Sequence, residues 1–127
     1  MTLLELMFVI AVISILASIA YPSYQSHVLK AHRIAAISDL VKVQVELERK
    51  YNGSYASAAQ SVLSGGVCSF CEIDSGRFDI TVSSAITSYT ITATAKGTQT
   101  NDDCAGNPYT ELTLNSIGEN TPSECWK

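Results

Sequence analysis

Leu6 to Tyr21 reads LMFVIAVISILASIAY, and that run decides the fold of this chain. With Leu3 and Leu4 it approaches the ~20 residues that cross a bilayer as a helix. It is apolar on every face, so it is not the amphipathic helix of a soluble surface. No Asp, Glu, Lys or Arg occurs from Leu6 to Ser26, and Glu5 is the only charged side chain before Lys30. The stretch from Lys30 to Lys127 holds all eight basic residues and every acidic residue except Glu5. One end is written for lipid or a protein core, and the rest for water.

The 127 residues (13.6 kDa) amount to one domain's worth of chain and exclude multi-domain machinery. Charged residues make up 16%, below the usual ~25%, and the 46% hydrophobic content excludes a largely disordered chain. A net charge of −4 and a pI near 5.0 argue against a strongly basic nucleic-acid binder and leave only a local patch.

Three readings of the apolar run compete. A secretory signal peptide starts with basic residues and ends in a small-residue cleavage site. Here an acid precedes the run, and Ala17-Ser18-Ile19-Ala20 is only faintly cleavage-like. A plain membrane anchor leaves Glu5 unexplained, because a carboxylate in a membrane segment is expensive without a partner. The third reading supplies one. The nearest positive charge is an α-amino group at Met1, on this chain or on an axially displaced neighbour. A lone acid near an N-terminus therefore points to self-assembly.

Helical signals continue beyond Pro22. Val28, Ala31, Ile34, Ala35, Ile37, Val41 and Val45 recur at three- and four-residue steps and predict one apolar face. Lys30, Arg33, Asp39, Lys42, Glu46, Arg49 and Lys50 are assigned to the polar face. Asn52-Gly53 stops the helix. A helix from Thr2 to about Tyr51 would be roughly 75 Å long at 1.5 Å per residue. Its first half must be buried by membrane or by other subunits. Pro22 either kinks this helix or begins a second one. Ser54 to Gly66 reads as a loop with one short helical turn. Phe78, Ile80 and Val82, then Tyr89, Ile91, Ala93 and Ala95, alternate as two strands, with a third at Thr110 to Asn115. Gly97 to Pro108 is a polar loop, and Gly118 to Lys127 closes the chain. The expected class is α+β: a long N-terminal helix packed on an antiparallel sheet of three or four strands.

Met1-Thr2-Leu3-Leu4-Glu5-Leu6-Met7, the apolar run and Tyr21-Pro22-Ser23-Tyr24 together resemble the N-terminus of a mature type IV pilin, most of all the type IVa group. Tyr89 to Ala95, Gln99-Thr100, Cys104, Leu112 to Gly118 and Glu124-Cys125-Trp126-Lys127 are similar to the C-terminal half of that group, especially its small or minor members. The resemblance implies a membrane and filament-core segment, 1–28, and a globular head, 29–127. It implies that a prepilin peptidase removes a basic leader and N-methylates Met1, which stands where the family usually has Phe. Glu5 and Pro22 fall at the family's positions. Glu5 then sets axial register against an amino terminus, and the segment before Pro22, with Ser14, Ala17 and Ser18, melts in the fibre.

Cys68, Cys71, Cys104 and Cys125 are an even set in an exported chain, which argues for disulfides with three possible pairings. The pilin resemblance favours Cys104 with Cys125, leaving Cys68 with Cys71. A redox role for Cys68-x-x-Cys71 requires a helix N-terminus that the sequence does not provide. A zinc site would need a second cysteine pair at similar spacing.

His27 and His32 lie off one face of the helix, and no catalytic set accompanies them. Asp102-Asp103 lacks the run of oxygen ligands that calcium takes. Asn52-Gly53-Ser54 has the form of a glycosylation sequon. Lys30, Arg33, Lys42, Arg49 and Lys50 raise DNA binding, since some pilins take part in DNA uptake.

The expected function is structural, with no enzyme activity, metal or cofactor. It is that of a pilus subunit in the bacterial inner membrane which then assembles, through an assembly platform, into an extracellular homo-oligomeric filament for adhesion, twitching motility or DNA uptake. The alternative is a minor pilin with an adhesive or DNA-receptor role toward a host surface or DNA, or a type II secretion pseudopilin.

Overall fold

Thr2 starts the chain's longest element. In the computed structural model, which describes residues 1–127, its extended backbone caps a 47-residue helix, α1 (Leu3–Arg49). The helix continues through Pro22 without a second start, although Pro22 donates no N–H, so Pro22 does not begin a new helix. Ser14 Oγ donates to the Ile10 carbonyl at 2.7 Å, and Ser18 Oγ donates to the Ile15 carbonyl at 2.7 Å. These back-bonds are how small hydroxyl residues ease a helix ahead of a proline. The helix ends at Arg49, with Lys50 N–H donating to Glu46. Gly53, at φ +105, then turns the chain in a region that a residue with a Cβ resists.

Residues from Met1 to His27 are all exposed. The buried stripe begins later and differs from the expected one. Ala36, Leu40, Val43 and Leu47 are fully buried, whereas Ile34, Val41 and Val45 are 56%, 43% and 58% exposed. Two apolar stripes share this helix, and periodicity alone does not rank them. The sheet selects the stripe that also carries Arg33 and Asp39, because both find polar partners across the interface. Asp39, assigned to the solvent face from sequence, is 0% exposed.

The segment Ser54 to Gly66 is more ordered than expected. Tyr55–Val62 forms a two-turn helix, α2, rather than a single turn. Three alanines give it high propensity, and Ala58, Ala59 and Val62 bury one face.

The main sheet is antiparallel, with four strands. β1 (Phe78–Ser84) pairs with β2 (Tyr89–Ala95). A short pair, β3 (Asp103–Cys104) and β4 (Asn107–Pro108), interrupts the polar loop. β5 (Glu111–Asn115) then joins the free edge of β2, and β6 (Asn120–Thr121) closes the order β1-β2-β5-β6. Alternation holds as the sequence predicts. Phe78, Ile80, Tyr89, Ile91, Ala93, Leu112 and Leu114 face the helix, with Asp79, Thr81 and Thr94 exposed behind them.

Two disulfides, Cys68–Cys71 and Cys104–Cys125, complete the head. The second joins positions 21 apart and ties the C-terminal segment to β3. The class is therefore α+β, as the sequence indicates.

Candidate functional site

The N-terminal turn is organised by its own backbone. Glu5 N–H donates to Thr2 Oγ1 at 3.2 Å, and Thr2 N–H donates to Glu5 Oε2 at 3.4 Å. This capping box satisfies two donors that a helix start otherwise leaves unpaired. Glu5 thus has a partner in its own helix, which the sequence reading did not foresee. The partner is a neutral amide, so no fixed cation sits on the carboxylate. Met1 and Glu5 occupy one turn, while Pro22 lies 17 residues beyond Glu5, roughly 26 Å along the axis.

In the head, polar side chains of α1 hold the irregular segments. Arg33 Nη1 donates to Asp102 Oδ2 and to the Asp103 carbonyl, both at 2.7 Å. Tyr109 OH donates to the same Asp102 oxygen at 2.7 Å. Gln99 Nε2 reaches the Leu29 carbonyl at 2.9 Å. All four side chains are buried. Burial, with the adjoining Asp102 carboxylate, pushes the Tyr109 phenol well above its ordinary range. Six residues further along α1, Asp39 accepts from Glu72 N–H and from Ile73 N–H, the latter at 2.8 Å, fixing the segment after the Cys68–Cys71 bridge. Glu48 accepts from Tyr55 OH at 3.0 Å and from Tyr89 OH at 2.8 Å. Burial and that bond push the Tyr89 phenol up to about 12.

These contacts dismantle the basic cluster expected on α1. Arg33 is withdrawn into its pair with Asp102. Lys42 lies 3.6 Å from Asp39 and 3.3 Å from Glu72, and Arg49 lies 3.7 Å from Glu46. Lys50 donates to Ser61 Oγ at 3.2 Å, and Lys30 is exposed. The five residues do not form one patch. Sequence reading missed Tyr109, and it quoted Gln99 only within the pilin resemblance, with no buried role. It placed Asp102 in a polar loop, whereas Asp102 is the buried counter-ion of Arg33. The only signal was a cation lying among apolar helix positions. His27 is exposed, and no group of His, Cys, Asp or Glu is arranged to hold a metal.

Outside the helix, Arg77 and Lys96 sit side by side where β1 and β2 begin and end, Lys96 N–H donating to the Arg77 carbonyl at 2.8 Å. Lys96 Nζ meets Asp79 at 2.9 Å in a solvent-exposed pair, which contributes little. Arg77 has no carboxylate partner and donates to Thr98 Oγ1 at 2.8 Å.

Comparison with known proteins places this arrangement. The chain is similar to the fimbrial protein of Moraxella nonliquefaciens, 36% identical over 66 residues. That match takes in 50% of this chain and 43% of the relative, so it spans under half of the relative's length. No solved structure matches. The family described as type IV minor pilin ComP, DNA uptake sequence receptor, matches residues 22–107. The matched region runs from Pro22 through the buried half of α1, the Asp39 clamp and the β1–β2 hairpin to β4. It covers more than half of the chain, which therefore belongs to this family of type IV minor pilins.

Proposed function

We propose that this chain is a minor pilin that receives DNA at the surface of a type IV pilus. The observation that carries the reading is the family match to residues 22–107, most of which lies in 29–127 and none in the apolar run common to pilins. Membership in a pilin family also supports a structural role. The minor, DNA-receiving role that stood as the alternative from sequence is now better supported than a major filament subunit.

In this proposal residues 1–28 anchor the chain in the inner membrane and later enter the filament core, while 29–127 form the head. Prepilin peptidase frees and methylates Met1, and the assembly platform extracts the subunit. The Met1 amine of a neighbour meets Glu5, because the capping box leaves that carboxylate without a cation. The Pro22-proximal turns, already back-bonded through Ser14 and Ser18, yield during packing.

The chain carries a net charge of −4, so contact with a polyanion must be local. Lys30, Lys50, Arg77 and Lys127 stand outside all ion pairs. Engaging the three lysines among them gives a salt slope of only about 3, by roughly 0.9 per neutralised phosphate. Duplex binding by the detergent-solubilised full chain, titrated with salt and across sequences, tests this. A deletion strain should keep its surface filaments and lose DNA uptake. Disappearance of all filaments would overturn the minor role, and normal uptake would overturn the DNA role.

A further inference from the structure

Where α1 leaves its apolar run, a cleft of about 460 Å³ opens between the helix and the Gly97–Asn101 turn. Tyr21, Tyr24 and Gln25 form its helix side, and Arg77, Thr98 and Asn101 form its head side. No carboxylate lines it. Arg77 is half-buried and absent from all five ion pairs of the molecule, and its guanidinium bonds only the neutral Thr98 hydroxyl. Its guanidinium has no counter-ion, and its fork of donors matches carboxylate or phosphate. The amides of Gln25 and Asn101 add further donors beside it. In a chain of net charge −4, the cleft is lined by a cation and no acid.

Its position selects the anion. From Leu3 to Tyr21 the helix rises roughly 28 Å, about the hydrocarbon thickness of a bilayer. Tyr21 and Tyr24 are exposed, at 65% and 68%, at the level where aromatic residues favour the membrane–water boundary. The cleft therefore opens at the headgroup layer whenever the apolar run is in a membrane.

We propose that the cleft binds the phosphodiester headgroup of an anionic phospholipid while the subunit resides in the membrane. Arg77 and Thr98 take the phosphate oxygens, the amides of Gln25 and Asn101 take the polar head, and the two tyrosines lie along the glycerol region. The bound lipid holds the head at a set height and tilt before extraction. This inference rests on the membrane residence proposed above.

The test uses the full chain in nanodiscs of phosphatidylcholine alone or with phosphatidylglycerol. Insertion is scored by co-purification with the disc, and retained lipid by native mass spectrometry after release. The wild type should retain phosphatidylglycerol over phosphatidylcholine. Arg77→Gln should weaken that retention about tenfold, the order expected for one charge-assisted contact, with insertion and head melting unchanged. Arg77→Lys should recover part of it. Insertion without a headgroup preference, or a preference untouched by Arg77→Gln, overturns the cleft while membrane residence stands. A wild type that fails to enter discs overturns both. Inorganic phosphate that displaces the lipid at equal concentration, or a short DNA duplex that does so through Arg77, overturns the lipid assignment.

Discussion

Asp102 shows how far one buried acid can organise the head. It gathers Arg33 from α1 and Tyr109 from the C-terminal half onto a single carboxylate oxygen. Removing one partner of a buried pair strands the other, at a cost of about 3–5 kcal/mol. Arg33→Met is therefore expected to lower the melting temperature of the head sharply, while Arg33→Met with Asp102→Leu recovers much of the loss; circular dichroism melts of the four combinations read this directly. The tyrosines give a second signature. Burial and the bond to Glu48 raise Tyr89 from about 10 to about 12, so folding favours the neutral phenol. Its contribution is complete below about 10 and is lost as pH rises through about 12. Tyr55 and Tyr109 are shifted in the same direction. Melting temperature should hold up to pH of about 10 and then fall, and Tyr89→Phe should make that alkaline fall shallower.

Among the elements, the two disulfides look alike in sequence but not in effect. Cys104–Cys125 closes a separation of 21 residues and holds the last segment against β3, while Cys68–Cys71 closes a separation of 3. The chain-entropy model assigns the longer loop roughly 3 kcal/mol. Cys104→Ser with Cys125→Ser should lower head stability by that order, and the Cys68/Cys71 double serine variant by clearly less; equal losses in denaturant titration would contradict the loop argument. The sheet's outer face has its own logic. Thr81, Thr92, Thr113 and Thr121 fall in register across all four strands, so β-branched hydroxyl residues supply strand preference without adding apolar surface. The strand alternation placed Thr81 and Thr92 on that face, whereas Thr121 fell in a closing segment with no strand assigned. The α2 helix was not plain either, because its Ala- and Ser-rich sequence suits a loop equally well until α1 and the sheet offer it a surface.

At the scale of the whole molecule, the apolar run is exposed along its length while the core lies further along the chain, and Glu5 stands at the outer end of the run. Glu5→Gln keeps an acceptor for the capping box, since glutamine serves there as well, yet removes the charge. If a neighbour's amine is the partner, this variant should insert normally in membranes and fail to enter filaments; immunogold counts on sheared filaments, with membrane levels as the control, would detect normal incorporation and so reject the register role. The sequence alone determined the long helix, the strand alternation and the division between an apolar end and a charged remainder. These follow from local periodicity and composition, which act residue by residue. The tertiary structure decided which of two apolar stripes on α1 faces the sheet, that Arg33 and Asp39 turn inward, and that Arg77 is left without an acid beside Tyr21 and Tyr24. Those outcomes depend on groups 33 to 70 positions apart in the chain, such as Asp39 with Glu72 and Arg33 with Asp103. Only folding sets the distances at which such charges and donors pair, so no local pattern records them.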